Sequence, residues 1–125
     1  HHPTEIEATM KSVELYDNLT NLNNRIVLWQ PHKYSRTSDN LEGFKKCFRR
    51  CDELIILPLW TVAGEKKIDI DFEKEFASYN PIFADRVVSY KGKIELIKDD
   101  KIIKTYDEGI FLGVGAGDIT YQLRY

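Results

Sequence analysis

Residues 29–37, Trp29-Gln30-Pro31-His32-Lys33-Tyr34-Ser35-Arg36-Thr37, bring an imidazole, an ammonium, a phenol and a guanidinium within five positions of one another. An ammonium and a guanidinium this close suit a carboxylate or phosphate, and a guanidinium adds a planar, two-pronged donor. Pro31 fixes its own φ and biases Gln30 toward an extended conformation, so the segment is a stiff loop. The competing reading is a solvated charged loop with no partner. Three other stretches offer polar or N–H-rich surfaces. His1 and His2 precede Pro3, which suits the first position of a helix, and Glu5 and Glu7 favour its positive end, so the two imidazoles stand where a helix start can receive an anion. Gly115-Ala116-Gly117-Asp118 has small residues that let a ligand approach the backbone, or else simply turn tightly. Ala63-Gly64-Glu65 ends in a carboxylate that either faces a cleft or lies on the open surface. No stretch supplies an evident nucleophile or metal cage. Cys47 and Cys51, four apart without a nearby His or further Cys, read as structural thiols in a reducing compartment.

The elements that must position these residues follow from hydrophobic patterning. Residues 25–29 and 53–58 are continuous apolar runs, as expected of strands covered on both faces. Residues 82–88 offer a third strand interrupted by Asp85 and Arg86, and residues 110–114 a last one. Helices are expected from Pro3 onward, over residues 40–51 with a cap at Ser38 or Asp39 and Glu42 completing a capping box, over residues 72–79, and over residues 118–123. Lys45, Lys46, Arg49 and Arg50 form the solvated side of the second helix. Residues 93–106 place two apolar runs around Asp99-Asp100 and read as a β-hairpin, with a short helix as the alternative. Alternating strands and helices give an α/β domain with a mainly parallel sheet. In such a sheet the loops at the carboxyl ends of the strands bind ligands, and all four candidate stretches fall there.

The 125 residues are enough for one domain with a real core. With 42% hydrophobic and 30% charged residues and a net charge of -2, the chain reads as globular, with no sign of a nucleic-acid partner or a membrane span. Gly115 to Gly117 follows the last strand and is not Gly-x-Gly-x-x-Gly, which argues against a nicotinamide site. The phosphate-loop pattern is absent as well.

His1-His2-Pro3-Thr4-Glu5-Ile6, the Gln30 to Arg36 loop and Gly115-Ala116-Gly117-Asp118-Ile119 occur in an order, and over nearly the whole chain, that resembles the carboxy-terminal domain of the alanine-adding Mur ligases. The resemblance implies a Rossmann-like three-layer domain with a mainly parallel sheet, residues 1–125 forming one domain of a three-domain enzyme. The UDP-sugar domain and the central ATPase domain would lie outside this chain, whose first residues would fall inside a motif. The implied reaction, in peptidoglycan biosynthesis in the bacterial cytoplasm, joins L-alanine to UDP-N-acetylmuramate through an acyl phosphate made with ATP. ATP and Mg2+ would be held mainly by the central domain, so no catalytic residue and no metal ligand is expected here, and the isolated chain would be inactive. By motif position, Arg36 would hold the alanine carboxylate with Lys33 beside it, although the family more often has Arg at the Lys33 position. His1 would approach the amino acid from the other side. His2, His32, Tyr34, Gly115, Ala116, Gly117 and Asp118 would belong to active-site loops, with His32 and Tyr34 either orienting their loop or packing. Glu65 matches a similar Ala-Gly-Glu. The family pattern implies mostly helix over residues 93–106, against the hairpin read from the residues. The ligase that recycles murein tripeptide shares the His-His-Pro-Thr start but not the Gln-Pro-His loop. A non-catalytic anion-binding α/β module is the reading from another class.

Overall fold

Four apolar runs build the central sheet. In a computed structural model, which describes residues 3–20, 25–61, 63–107 and 110–115, they are β1 (Arg25–Gln30), β2 (Glu53–Ile56), β3 (Ile82–Phe83) and β7 (Ile110–Gly115). They lie in the order β3-β2-β1-β7, and every pair is parallel. Side chains alternate between the faces of each strand, and here both faces are covered. Val27, Trp29, Leu54, Ile56 and Val114 point to one side, where they meet Ile6 and Met10 of α1 (Pro3–Thr20), and Phe44 and Cys47 of α3 (Leu41–Cys47) with the adjoining Phe48. Trp29 is the hub, its ring centroid 5.0 Å from those of Phe44 and Phe48 and 5.2 Å from that of Phe76. Ile26, Leu28, Ile55 and Leu57 point to the other side and meet Val87, Ile94, Leu96 and Tyr106. Those residues belong to an antiparallel sheet of β4 (Arg86–Tyr90), β5 (Lys93–Lys98) and β6 (Lys101–Tyr106). The three layers are therefore helices, parallel sheet and antiparallel sheet.

The order of the strands follows from this layering. The chain runs β1 to β2 to β3 by way of α2 (Tyr34–Asp39), α3, α4 (Phe72–Glu75) and a 3-10 turn (Ala77–Tyr79). Phe44, Phe72, Phe76 and Tyr79 of these connections all pack on the helical face. It then returns through the antiparallel sheet on the opposite face and sets β7 beside β1. Crossovers of one hand that travel in opposite directions must use opposite faces. The strand order consequently reverses between β1 and β7, and the carboxyl edge at such a reversal is where open α/β sheets bind ligands.

Several local expectations change. The run over residues 82–88 is two strands in different sheets, and Asp85 is the corner between them. Its amide donates to the Ile97 carbonyl at 2.8 Å and its carboxylate accepts from the Asp99 amide at 2.8 Å. The charged pair that interrupts the apolar run is thus where the chain changes layer. Residues 93–106 are the hairpin read from the residues, not the helix the family pattern implied. Asp99 and Asp100 both have positive φ, 52° and 60°, as a two-residue turn that matches strand twist requires.

The helix expected at residue 40 already starts at Tyr34 and breaks at Asn40, whose side chain donates to the Arg36 carbonyl at 2.9 Å. Asp39 lies inside α2, and α3 has no side-chain cap, so the Asp39–Glu42 capping box does not form. Lys45, Arg49 and Arg50 are also more than a solvated face. Lys45 pairs with Glu75 at 2.9 Å, and Arg49 and Arg50 both pair with Glu7, tying α3 to α1. Burial, the main cause, pushes the thiols of Cys47 up to about 12 and Cys51 to about 11, as suits unreactive structural cysteines. The helix expected over residues 118–123 lies outside the described residues.

Candidate functional site

The loops after β1 and β2 are zipped together beyond the end of the sheet. Trp60 donates its amide to the Pro31 carbonyl at 2.7 Å, and the Trp60 carbonyl accepts from the Lys33 amide at 2.7 Å, a parallel bridge centred on His32 and Trp60. Gln30, the last residue of β1, is buried, donates from Nε2 to the Pro58 carbonyl at 3.2 Å, and pairs in register with Gly115 of β7. The cationic segment therefore starts directly at the carboxyl edge where the strand order reverses.

Lys33 then turns the chain. Its φ of 66° and ψ of 135° form a conformation that L-residues rarely adopt, and the geometry is over-determined by its neighbours. Its amide is held by Trp60, while its carbonyl accepts from the Thr37 amide at 3.1 Å and from Thr37 Oγ1 at 2.9 Å. Thr37 is buried, so this first turn of α2 is anchored in the protein. Tyr34, Ser35 and Arg36 thus stand on a helix, where a stiff loop was expected.

The amino end of α2 is capped from the β2 side. Glu65 Oε1 accepts from the Tyr34 amide at 2.7 Å and from Thr61 Oγ1 at 3.1 Å, and Oε2 accepts from Ser35 Oγ at 3.3 Å. Burial pushes the Glu65 carboxyl up, but these hydrogen bonds together outweigh it and hold the group below its ordinary range. Glu65 is neither a free surface carboxylate nor an open acceptor.

Arg36 is exposed, and among the described residues its side chain has one polar partner, His32, with Nη1 3.4 Å from Nδ1. Burial first, and then the charges of Arg36 and Lys33, lower the His32 pKa below 6.5 against the opposing pull of Glu65. A neutral imidazole is thereby kept beside the guanidinium. No carboxylate pairs with Arg36 or Lys33 among the described residues.

A groove of about 420 Å³ lies between the first turn of α1 and the α2–α3 junction, where Asp39 and Glu42 are among its lining residues and no cationic side chain is. A smaller recess of about 170 Å³ between α1 and β7 likewise has no cationic side chain. The α1 start is held close to α3 because residue 43 has no side chain: a Cβ there would fall 2.9 Å from Pro3 Cβ. His1, His2, Ala116, Gly117 and Asp118 lie outside the described residues, while Gly115 is described as the end of β7. Of the other site candidates, His32, Lys33, Tyr34, Arg36 and Glu65 are brought together. Sequence reasoning missed Thr37 and Trp60 as the anchors of the turn, since neither carries a charge or falls at a recognisable spacing. No group of three or more His, Cys, Asp and Glu side chains among the described residues is placed to hold a metal ion.

No family model matches the chain. Its curated relatives are more informative. It is 55% identical over 126 residues to the UDP-N-acetylmuramate--L-alanine ligase of Helicobacter pylori (strain ATCC 700392 / 26695), a match covering 99% of this chain and 28% of that protein. The chain belongs to this ligase family, as a carboxy-terminal portion. The ligase of the same name from Campylobacter curvus is 48% identical over 124 residues, with 99% and 28% covered, and that of Campylobacter jejuni subsp. doylei 36% identical, with 99% and 27% covered. The chain thus spans somewhat more than a quarter of the length of the ligases it matches.

Proposed function

We propose that this chain is one domain of an ATP-dependent ligase that adds L-alanine to UDP-N-acetylmuramate in bacterial peptidoglycan synthesis, and that it binds the amino acid and closes the site. The observation that carries the reading is the exposed Arg36 guanidinium, with Lys33 three residues before it, on an anchored turn just beyond the carboxyl end of β1, where the strand order reverses. A guanidinium presented to solvent beside a neutral imidazole is suited to receive a carboxylate. The names of the relatives supply the substrate and favour alanine addition over tripeptide recycling.

In this reading ATP and Mg2+ are held mainly by domains outside this chain. They supply the activated acyl phosphate of the UDP-sugar. The task of this domain is to hold alanine by its carboxylate while leaving the amine free. When the amine attacks, the amide C–N bond forms, the acyl–phosphate C–O bond breaks, phosphate leaves with the electron pair and the amine loses a proton. Fixing the amine within reach and closing the domain over it both favour this step over hydrolysis. His1, His2 and the Gly115 to Asp118 turn are assigned to the same pocket on motif position. No helix among the described residues is long and apolar enough to cross a membrane, and we place the reaction in the cytoplasm.

ADP formation by the full-length protein with UDP-N-acetylmuramate, ATP and Mg2+ tests this reading. Turnover should depend on L-alanine, and Arg36→Ala should raise the alanine KM on the order of tenfold or more, as expected for a lost charged hydrogen bond. Turnover indifferent to alanine would remove the proposal.

A further inference from the structure

The loop after β2 contributes more to this site than an edge. We propose that Glu65 is a positioning residue for amino-acid binding: its carboxylate, on the loop after β2, caps α2 on the neighbouring loop after β1 and so sets where Arg36 and Lys33 stand. The inference rests on the reading of Arg36 and Lys33 as the carboxylate-binding pair. α2 has six residues, and its N-cap residue, Lys33, makes no side-chain capping bond. The first amides of a helix have no intrahelical acceptor, and a helix this short does not persist without tertiary support. Glu65 provides that support from 31 residues away, accepting from the Tyr34 amide and from Ser35 Oγ.

Glu65 is itself aimed by its own loop. Gly64 has a φ of 84°, a conformation glycine adopts without strain, and Thr61 Oγ1 holds Oε1 at 3.1 Å. The loop is clamped in turn by the two backbone bonds of Trp60. Lys33 is therefore fixed on both sides in its unfavourable conformation, by Trp60 before it and by the capped turn after it. Without the carboxylate the Tyr34 amide loses its acceptor, the turn relaxes, and Arg36, the third residue of α2, no longer has a set position. Glu65 touches no substrate in this account and acts through Arg36 and Lys33.

The test compares Glu65→Ala, Glu65→Gln and Arg36→Ala in the full-length ligase by the KM values for L-alanine, ATP and UDP-N-acetylmuramate. Glu65→Ala should raise the alanine KM on the order of tenfold, with the ATP KM unmoved. Glu65→Gln keeps an acceptor for the Tyr34 amide and should fall between. A rise with Arg36→Ala but wild-type alanine KM in both Glu65 variants overturns the positioning role and leaves the amino-acid site standing. Wild-type alanine KM in all three variants overturns both readings. Loss of folded protein with unchanged KM values on the folded fraction, read on Glu65→Gln if the alanine variant does not fold, shows a structural role only and also overturns it.

Discussion

His32 and Arg36 stand four residues apart, Nδ1 facing Nη1 at 3.4 Å, and their pairing depends on which form of the imidazole is present. A neutral ring can accept from the guanidinium, whereas a protonated one repels it. Burial and the neighbouring cations lower the pKa of the folded state below the unfolded value of 6.5. The folded state therefore binds its proton less readily than the unfolded chain. The resulting stabilisation is fully present above 6.5 and is lost as the pH falls from there through the lower folded value. An NMR titration of His32 in the full-length protein should give a midpoint below 6.5, moving part of the way back up in Arg36→Ala. A wild-type midpoint at or above 6.5 would contradict the described arrangement. At this scale the cationic residues and their Pro31 entry were legible from the sequence, since both follow from residue type. The neutral His32 was not, because burial decides it.

The helices and strands that hold these groups were legible where the signal is local. β1, β2 and β7 follow from continuous apolar runs, and the β5–β6 hairpin from two runs around Asp99-Asp100. The start of α2 was missed for a physical reason. Its cap comes from Glu65, far along the chain, while a local capping rule points to Asp39. The break at Asp85 was visible as a charge in an apolar strand, but only the second sheet explains it. Packing of α1 on α3 has its own test. In Gly43→Ala the new methyl meets Pro3 Cβ at 2.9 Å and Cγ at 3.0 Å, so the first turn of α1 must shift. Such overpacking costs about 1–3 kcal/mol. Amide hydrogen exchange in α1 of the full-length variant should quicken, and exchange unchanged from wild type would show that the contact does not hold the helix.

Across the molecule, two covered sheet faces and a reversal of strand order set the Gln30 to Arg36 segment at the carboxyl edge between β1 and β7. Helices cover one face and an antiparallel sheet the other. The sequence implied three layers and a parallel sheet but not the nature of the third layer, because hairpin strands do not announce which face they will cover. The chain matches 28% of its Helicobacter pylori relative, so the proposed chemistry is shared with domains beyond it. The central claim is that Arg36 receives the carboxylate of the incoming amino acid. The direct test compares kcat/KM for L-alanine and L-alaninamide, which has the same amine but no carboxylate, in full-length wild type and Arg36→Ala. The account predicts that wild type prefers alanine by on the order of 10- to 100-fold and that most of this preference disappears in Arg36→Ala. A preference for alanine that is just as large in Arg36→Ala would contradict it.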